Sequence, residues 1–145
     1  MTSPADSWLF WALLSAIFAA LTAIFAKVGI ENVNSDFATF IRTIVILVAA
    51  GGIVLALGKW QSPGSISPKT WFFLLLSGCA TAASWLCYFR ALKLGEAGRV
   101  APIDKLSVVL VAVFAFAFLG ERYSPMNWVG IALISAGAVL IALQG

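Results

Sequence analysis

The chain has 145 residues, of which 62% are hydrophobic and 10% are charged, and its formal net charge is +3. A soluble globular domain has about 25% charged residues, so this composition excludes an ordinary soluble protein. It indicates a membrane protein with room for about five spans. The small, scattered positive charge shows no basic cluster for nucleic acid and is typical of residues that flank membrane spans.

Few residue types that carry catalysis are present. The chain has two cysteines and no histidine, so the sequence contains no Cys/His metal pattern. It also lacks a recognisable nucleophile–base pair and a phosphate-binding P-loop. We therefore expect no enzyme activity, no catalytic residue, no metal and no cofactor.

Five apolar runs predict an all-α integral membrane bundle of five transmembrane helices in a single domain, residues 1–145. The predicted spans are 8–26, 37–57, 70–89, 100–119 and 126–143. The segment before the first run lacks the basic residues of a signal peptide, so we expect that run to be retained as a helix.

The second and third predicted spans each contain an unusual residue. Arg42 lies near the start of the second span, where it either extends to the membrane interface or points inward to a carboxylate or an anionic substrate. In the third span, Trp85 lies deep, away from the interface where tryptophan is enriched. We expect Trp85, together with Ser84 and Tyr88, either to pack between helices or to line a substrate cavity.

The fourth predicted span, 100–119, is apolar except for the adjacent charges Asp104 and Lys105. A charge in lipid costs at least about 2.5–3.5 kcal/mol, so both should face protein, water or a partner. Neighbours in a regular helix point about 100° apart, so they should face different ways. Asp104 would form a salt link to Arg42 or Arg99, or the pair would line a transport cavity. A third interpretation is that Lys105 extends to the interface.

Two residues at the ends of this span are candidate gating residues. Proline is tolerated early in a helix, but further in, Pro102 would free a carbonyl able to bind substrate or an ion in a broken helix. Glu121 follows the span. It is either an interfacial charge that helps to cap the next helix or part of a gate.

Several short motifs follow one another along the chain: the first span closed by Lys27, the Arg42 entry to the second span, YFRALKLG at 88–95, VAPI at 100–103, FLGE at 118–121 and GIALISAG at 130–137. Motifs in this order, over about residues 8–142, resemble the EamA domain of the drug/metabolite transporter superfamily. The chain departs from the family at Asp104 and Lys105, where many relatives are uncharged. It also lacks the first-span glutamate used by the smaller multidrug exporters.

This resemblance implies a membrane transporter, a secondary carrier or exporter of a small metabolite or drug. Most family members hold two such domains as inverted repeats with ten helices, so the chain corresponds to half of a ten-helix transporter. The resemblance therefore implies a homodimer or pairing with a second five-helix subunit. A structural or accessory membrane subunit that transports nothing is the alternative function.

The loop charges bear on orientation. The N-terminal side of the predicted bundle holds Lys59, Lys69 and Arg122, and the other side holds Lys27, Arg90, Lys93 and Arg99, with Arg42 as a further member. Because the positive-inside rule acts on an asymmetry, this near balance permits an antiparallel homodimer. We expect a multi-pass protein of the cell inner (plasma) membrane, in contact with lipid and a small-molecule substrate.

Overall fold

The structure, a computed structural model, describes residues 7–143, and the regular secondary structure of this part of the chain is helical, without strands. Its helices are α1 (Trp8–Gly29), α2 (Ser35–Ala56), α3 (Pro68–Leu94), α4 (Ala97–Asp104), α5 (Ser107–Phe114) and α6 (Pro125–Leu143). A short 3₁₀ turn (Pro63–Ser65) lies between α2 and α3, and a π-helical turn (Ala115–Leu119) extends α5.

Five helical stretches are long and apolar enough to cross a membrane: α1, α2, α3, the stretch Ala97–Leu119 and α6. The prediction of an all-α protein with five membrane-spanning helices is thus confirmed. The largest difference from the predicted bounds is in α3, which continues five residues beyond 89. Its extra turn carries Arg90 and Lys93, whose side chains bond to groups at the start of α2 and in the loop before it.

Side chains and glycines set where the helices begin and end. The Asn34 carboxamide accepts hydrogen bonds from the backbone N–H groups of Asp36 and Phe37, so Asn34 caps the start of α2. Gly58, with φ +63°, follows the end of α2, and Gly120, with φ +69°, ends the fourth span. Both adopt the left-handed conformation that glycine reaches without steric cost.

The chain divides into two compact units, one formed by residues 24–93 and the other by the residues up to Ala23 with those from Leu94 onward. The core of the 24–93 unit lies where α1, α2 and α3 have their ends. Its buried side chains are Ala26, Ile30, Phe89, Leu92, Ser35 and Thr39. The Thr39 hydroxyl donates to the Ser35 carbonyl at 2.9 Å, so this buried polar group is satisfied.

Three contacts tie the helix ends of the 24–93 unit together. The Lys27 ammonium of α1 donates to the Leu92 carbonyl near the end of α3 at 2.7 Å. Lys93 of α3 donates to the Val33 carbonyl in the loop before α2. Arg90 of α3 pairs with Asp36 of α2. Basic side chains thereby satisfy carbonyls and a carboxylate at one end of the three helices.

In the other unit, α6 packs against α4 and α5. Small residues are buried there, Ala112 in α5 and Ala138 in α6, which permits close approach of helices. The Arg99 guanidinium of α4 donates to the Ala142 carbonyl near the end of α6 at 3.4 Å. At the opposite end of α6, the Trp128 ring makes edge contacts with Phe116 and Tyr123.

Candidate functional site

Arg42 of α2 lies on an aromatic face of α3. Its guanidinium carbon is 4.0 Å from the centroid of the Trp85 ring and 5.3 Å from that of Phe89. Trp85 and Phe89 are four residues apart and therefore share one face of α3. The structure brings two predicted site residues together, Arg42 and Trp85, and adds Phe89, whose i, i+4 spacing from Trp85 was a signal in the sequence.

The head group of Arg42 stays at the depth of Trp85. The Asp36–Arg90 pair marks a common level of α2 and α3. At ~1.5 Å per residue, Arg42 lies about 9 Å from this level along α2 and Trp85 about 7.5 Å along α3, whereas Phe89 lies only about 1.5 Å from it. Since the guanidinium is closer to Trp85 than to Phe89, it does not extend to the helix ends.

Arg42 forms no ion pair within residues 7–143. The ion pairs of this range join Arg90 to Asp36 and Lys105 to Asp104. Arg42 is half-buried, and no fully buried side-chain nitrogen in the described chain lacks a hydrogen-bond partner. Its guanidinium N–H groups are therefore open to the surroundings, although one side of the guanidinium is covered by the Trp85 ring.

The other two predicted cavity residues of α3 flank Trp85. Tyr88 is half-buried and, three residues beyond Trp85, lies on the same face of the helix. Ser84 is exposed and points about 100° away from Trp85 around the helix axis. Both are positioned beside the Arg42–Trp85 contact, and their part in lining a cavity stays a prediction.

Asp104 and Lys105 lie where the fourth span is interrupted. The regular helix α4 ends at Asp104, and α5 begins at Ser107. A continuous helix would place the two side chains about 100° apart around its axis. In the structure the Lys105 ammonium instead lies 3.4 Å from the Asp104 carboxylate, because the two residues straddle the end of a helix. Both side chains are partly exposed.

The hydrogen bonds of the interruption are tighter than those of an α-helix. The Lys105 N–H is shared between the carbonyls of Ala101 and Pro102, at 3.3 and 3.1 Å. The next N–H, of Leu106, donates to a carbonyl only three residues earlier, at 3.0 Å. Proline has no N–H, so Pro102 leaves the Gly98 carbonyl without its helical donor in the preceding turn. This places a proline, a charged pair and a change of helix type within one span.

Glu121, the other predicted gating residue, pairs with a neighbour in the loop before α6. The Tyr123 hydroxyl donates to the Glu121 carboxylate at 2.6 Å. This hydrogen bond to a carboxylate raises the pKa of Tyr123 above its usual value. Tyr123 also contacts the Trp128 ring, so Glu121 is connected to the start of α6 through an aromatic pair.

The described residues contain no group of three or more His, Cys, Asp or Glu side chains placed to hold a metal ion. Away from the helix ends, the charged groups of the membrane-spanning helices in this range are instead Arg42 on its aromatic face and the Asp104–Lys105 pair. Such ionisable groups inside membrane spans commonly mark substrate or ion pathways.

Comparison with known proteins finds relatives that are named as transporters. An uncharacterized transporter in the cobO 3' region of Sinorhizobium sp is 64% identical over 138 residues, covering 95% of this chain and 98% of the relative. The uncharacterized transporter YxxF of Bacillus subtilis is 26% identical across 99% of this chain, which spans 45% of its length. A probable 4-amino-4-deoxy-L-arabinose-phosphoundecaprenol flippase subunit, ArnF of Sodalis glossinidius, is 35% identical over 91 residues, 61% of this chain and 68% of its own.

No solved structure matches the chain. The family model of EamA-like transporters matches residues 6–143, nearly the whole sequence. Five helices able to span a membrane and relatives named as transporters agree with that match. This chain is a multi-pass membrane protein and belongs to the EamA-like transporter family.

Proposed function

We propose that this chain is one half of a secondary carrier in the cell inner (plasma) membrane that moves a small metabolite or a drug-like solute. Two five-helix chains together form the transport pathway. Each chain contributes ionisable groups from within its membrane spans. Energy coupling by ATP is not part of the proposal, because the sequence contains no P-loop.

The observation that carries the proposal is the interruption of the fourth span at Asp104 and Lys105. Secondary transporters place solute and coupling-ion sites at discontinuous membrane helices, where irregular backbone lines a cavity. A partly exposed Asp–Lys pair at such a break is costly in lipid and is readily accommodated against a water-filled path. Pro102 lies two residues before Asp104, inside α4, where it lacks the N–H of a regular helix.

The small buried share of each membrane-spanning stretch supports the pairing of this chain with a second five-helix chain. Only 6–11% of the residues in the apolar window of each membrane-spanning stretch are buried within the chain. Lipid and a second five-helix unit would cover the remainder. The near-balanced loop charges permit an antiparallel homodimer. Compartment-sensitive reporters fused to each terminus test this arrangement, and one uniform orientation would exclude it.

The transport test uses purified protein in liposomes with four radiolabelled probes of different charge: threonine, glucose, benzoate and tetraphenylphosphonium. We expect carrier-dependent counterflow of at least one probe. Asp104→Asn and Lys105→Gln should each lower that flux by about tenfold or more while the oligomer is retained. Glu31→Gln and Lys69→Gln change the same charges outside the break and should leave the flux unchanged.

The alternative is an accessory subunit that transports nothing itself. One observation favours it: the relative ArnF, 35% identical over 91 residues, is named as a probable flippase subunit, and a subunit works with a partner chain. In that case Asp104→Asn and Lys105→Gln would disrupt assembly with a second chain. The purified protein alone would then give no counterflow with any of the four probes.

A further inference from the structure

We infer that Arg42, held on the Trp85 ring, is the recognition site for an anionic oxygen group, a carboxylate or a phosphate, of the transported solute. This rests on the proposed carrier function and adds to it a substrate class: small organic anions. The site lies within the 24–93 unit, on the helices α2 and α3.

A guanidinium can contact an aromatic ring and an anion at the same time. Its flat face stacks on an aromatic ring, while its N–H groups lie in its own plane and point outward from its edge. The Trp85 ring, 4.0 Å from the guanidinium carbon, covers one face and leaves the edge available. An edge with parallel N–H donors fits a carboxylate or phosphate bidentately, a fit that an ammonium group does not provide.

The charge of Arg42 is uncompensated, in contrast to its neighbour in the same unit. Arg90 is paired with Asp36 at 2.7 Å, and Lys27 and Lys93 each donate to a backbone carbonyl. Within residues 7–143, the guanidinium of Arg42 has no carboxylate partner and lies over the Trp85 and Phe89 rings of α3. An arginine at this depth in a membrane span is costly unless an anion or water meets it.

The aromatic face also makes the site more selective. Trp85 and Phe89 hold the head group about a quarter to a third of the way across a ~30 Å hydrocarbon core, away from the lipid headgroups. Low polarity at that depth strengthens an ion pair with a ligand and penalises an unpaired charge. A neutral solute leaves Arg42 unpaired, and a cation is repelled, so the site discriminates by charge.

The binding test uses the full chain in nanodiscs of phosphatidylcholine with radiolabelled benzoate. Phenyl phosphate should compete, whereas benzamide and benzylamine, which have similar shape without the negative charge, should not. Arg42→Gln should weaken benzoate binding by about tenfold or more, and Arg42→Lys by less, because the charge remains but the fork is lost. Trp85→Leu should also weaken benzoate binding, and the affinity of Trp85→Phe should lie between those of Trp85→Leu and the wild-type protein.

Matched controls separate this site from general positive charge. Arg122→Gln removes an exposed arginine in the loop before α6 and should leave benzoate affinity unchanged. A measurement on the wild-type protein needs no variant: benzoate should protect Arg42 from phenylglyoxal modification, followed by peptide mass spectrometry. Benzamide at equal concentration should not protect it.

Several results would overturn the assignment. They are benzylamine binding in preference to benzoate, unchanged benzoate affinity in Arg42→Gln, and absence of protection by benzoate. Binding of benzoate that is abolished when phosphatidylglycerol replaces part of the phosphatidylcholine would assign the site to a lipid headgroup and overturn the solute claim.

Two results distinguish the absence of the anion site from the absence of carrier function. Counterflow of threonine or glucose without benzoate binding would leave a carrier and remove the anion site. Arg42-dependent benzoate binding without counterflow of any probe would leave the anion site and remove the carrier.

Discussion

Arg90 of α3 holds Asp36 of α2 through two parallel hydrogen bonds, from Nε to Oδ1 at 3.1 Å and from Nη2 to Oδ2 at 2.7 Å. This bidentate contact fixes the relative positions of the two helices at one end. It thereby sets the level at which Arg42, six residues further along α2, meets Trp85, five residues back along α3. A partly exposed ion pair thus positions a contact deeper in the membrane.

The first prediction concerns this pair. Arg90→Met should lower the thermal unfolding midpoint in detergent, and Arg90→Lys should lower it less, because lysine keeps the charge but not the fork. The double variant Asp36→Asn with Arg90→Met should be more stable than the sum of the single changes predicts, since neither charge is left unpaired. Glu31 and Lys69 are exposed side chains at opposite ends of the membrane spans. The stability changes caused by Glu31→Gln and Lys69→Met should therefore add in the double variant. Additive behaviour of the Asp36–Arg90 cycle would contradict the coupling.

The second prediction concerns the core of the 24–93 unit. Leu92 is 0% exposed, whereas Leu94, two residues later in the same helix, is 90% exposed. Leu92→Ala removes packed methyl groups and should destabilise the protein by about 2–5 kcal/mol. Leu94→Ala deletes the same atoms from an open position and should be close to neutral. Thermal or denaturant unfolding of the two variants compares them directly, and equal effects would refute this placement of the core.

Much of the fold could be predicted from the sequence because apolar runs and caps are local signals. The five apolar runs could be recognised without knowledge of the partners of each helix. The extension of α3 past residue 89 was harder, since Arg90 and Lys93 look like loop residues until α2 and the loop before it supply their partners. Hydropathy places a helix in the membrane but does not give its register against another helix.

The candidate site shows the same limit. Arg42 and Trp85 were each anomalous in their own span, so each could be selected as a site residue. Their contact depends on the pairing of α2 with α3 and could not be deduced from either span alone. Asp104 and Lys105 meet because regular helix ends between them, and helical periodicity assumes that it continues.

The third prediction concerns pH. The hydrogen bond to Glu121 raises the pKa of Tyr123, so the neutral phenol is favoured in the folded protein. The stability from this contact is therefore fully present below the unfolded tyrosine pKa of about 10 and is lost as pH rises through the higher folded value. Tyrosinate absorbance during a base titration should show Tyr123 ionising later than in Glu121→Gln.

Since the chain has two tyrosines, the Tyr88→Phe background isolates Tyr123 in this titration. Glu121→Gln should lower the Tyr123 pKa in that background, because an amide is a weaker acceptor and has no charge. Arg122→Gln, which alters the intervening residue, serves as the control for a general change in loop charge. An identical Tyr123 titration in Glu121→Gln and the parent would rule out the Glu121–Tyr123 contact.

The fourth prediction concerns the helix break. Pro102 lies six residues into α4, where its missing N–H leaves the Gly98 carbonyl without its helical donor. Pro102→Ala supplies that donor and should raise stability by up to about 3 kcal/mol. Amide exchange across residues 98–106 should slow, because the span becomes more regular. Pro125 is the first residue of α6, a position that needs no N–H bond, so Pro125→Ala should change stability little.

The same variant separates a structural break from a functional one. If the interruption at Asp104 and Lys105 forms part of the transport path, Pro102→Ala should lower counterflow even though the protein is more stable, because the charged pair is returned to a continuous helix with its side chains pointing apart. Pro125→Ala should retain full counterflow. Greater stability with undiminished counterflow in Pro102→Ala would mean that transport does not depend on the break, and the Asp–Lys pair would then be a structural feature of the fourth span.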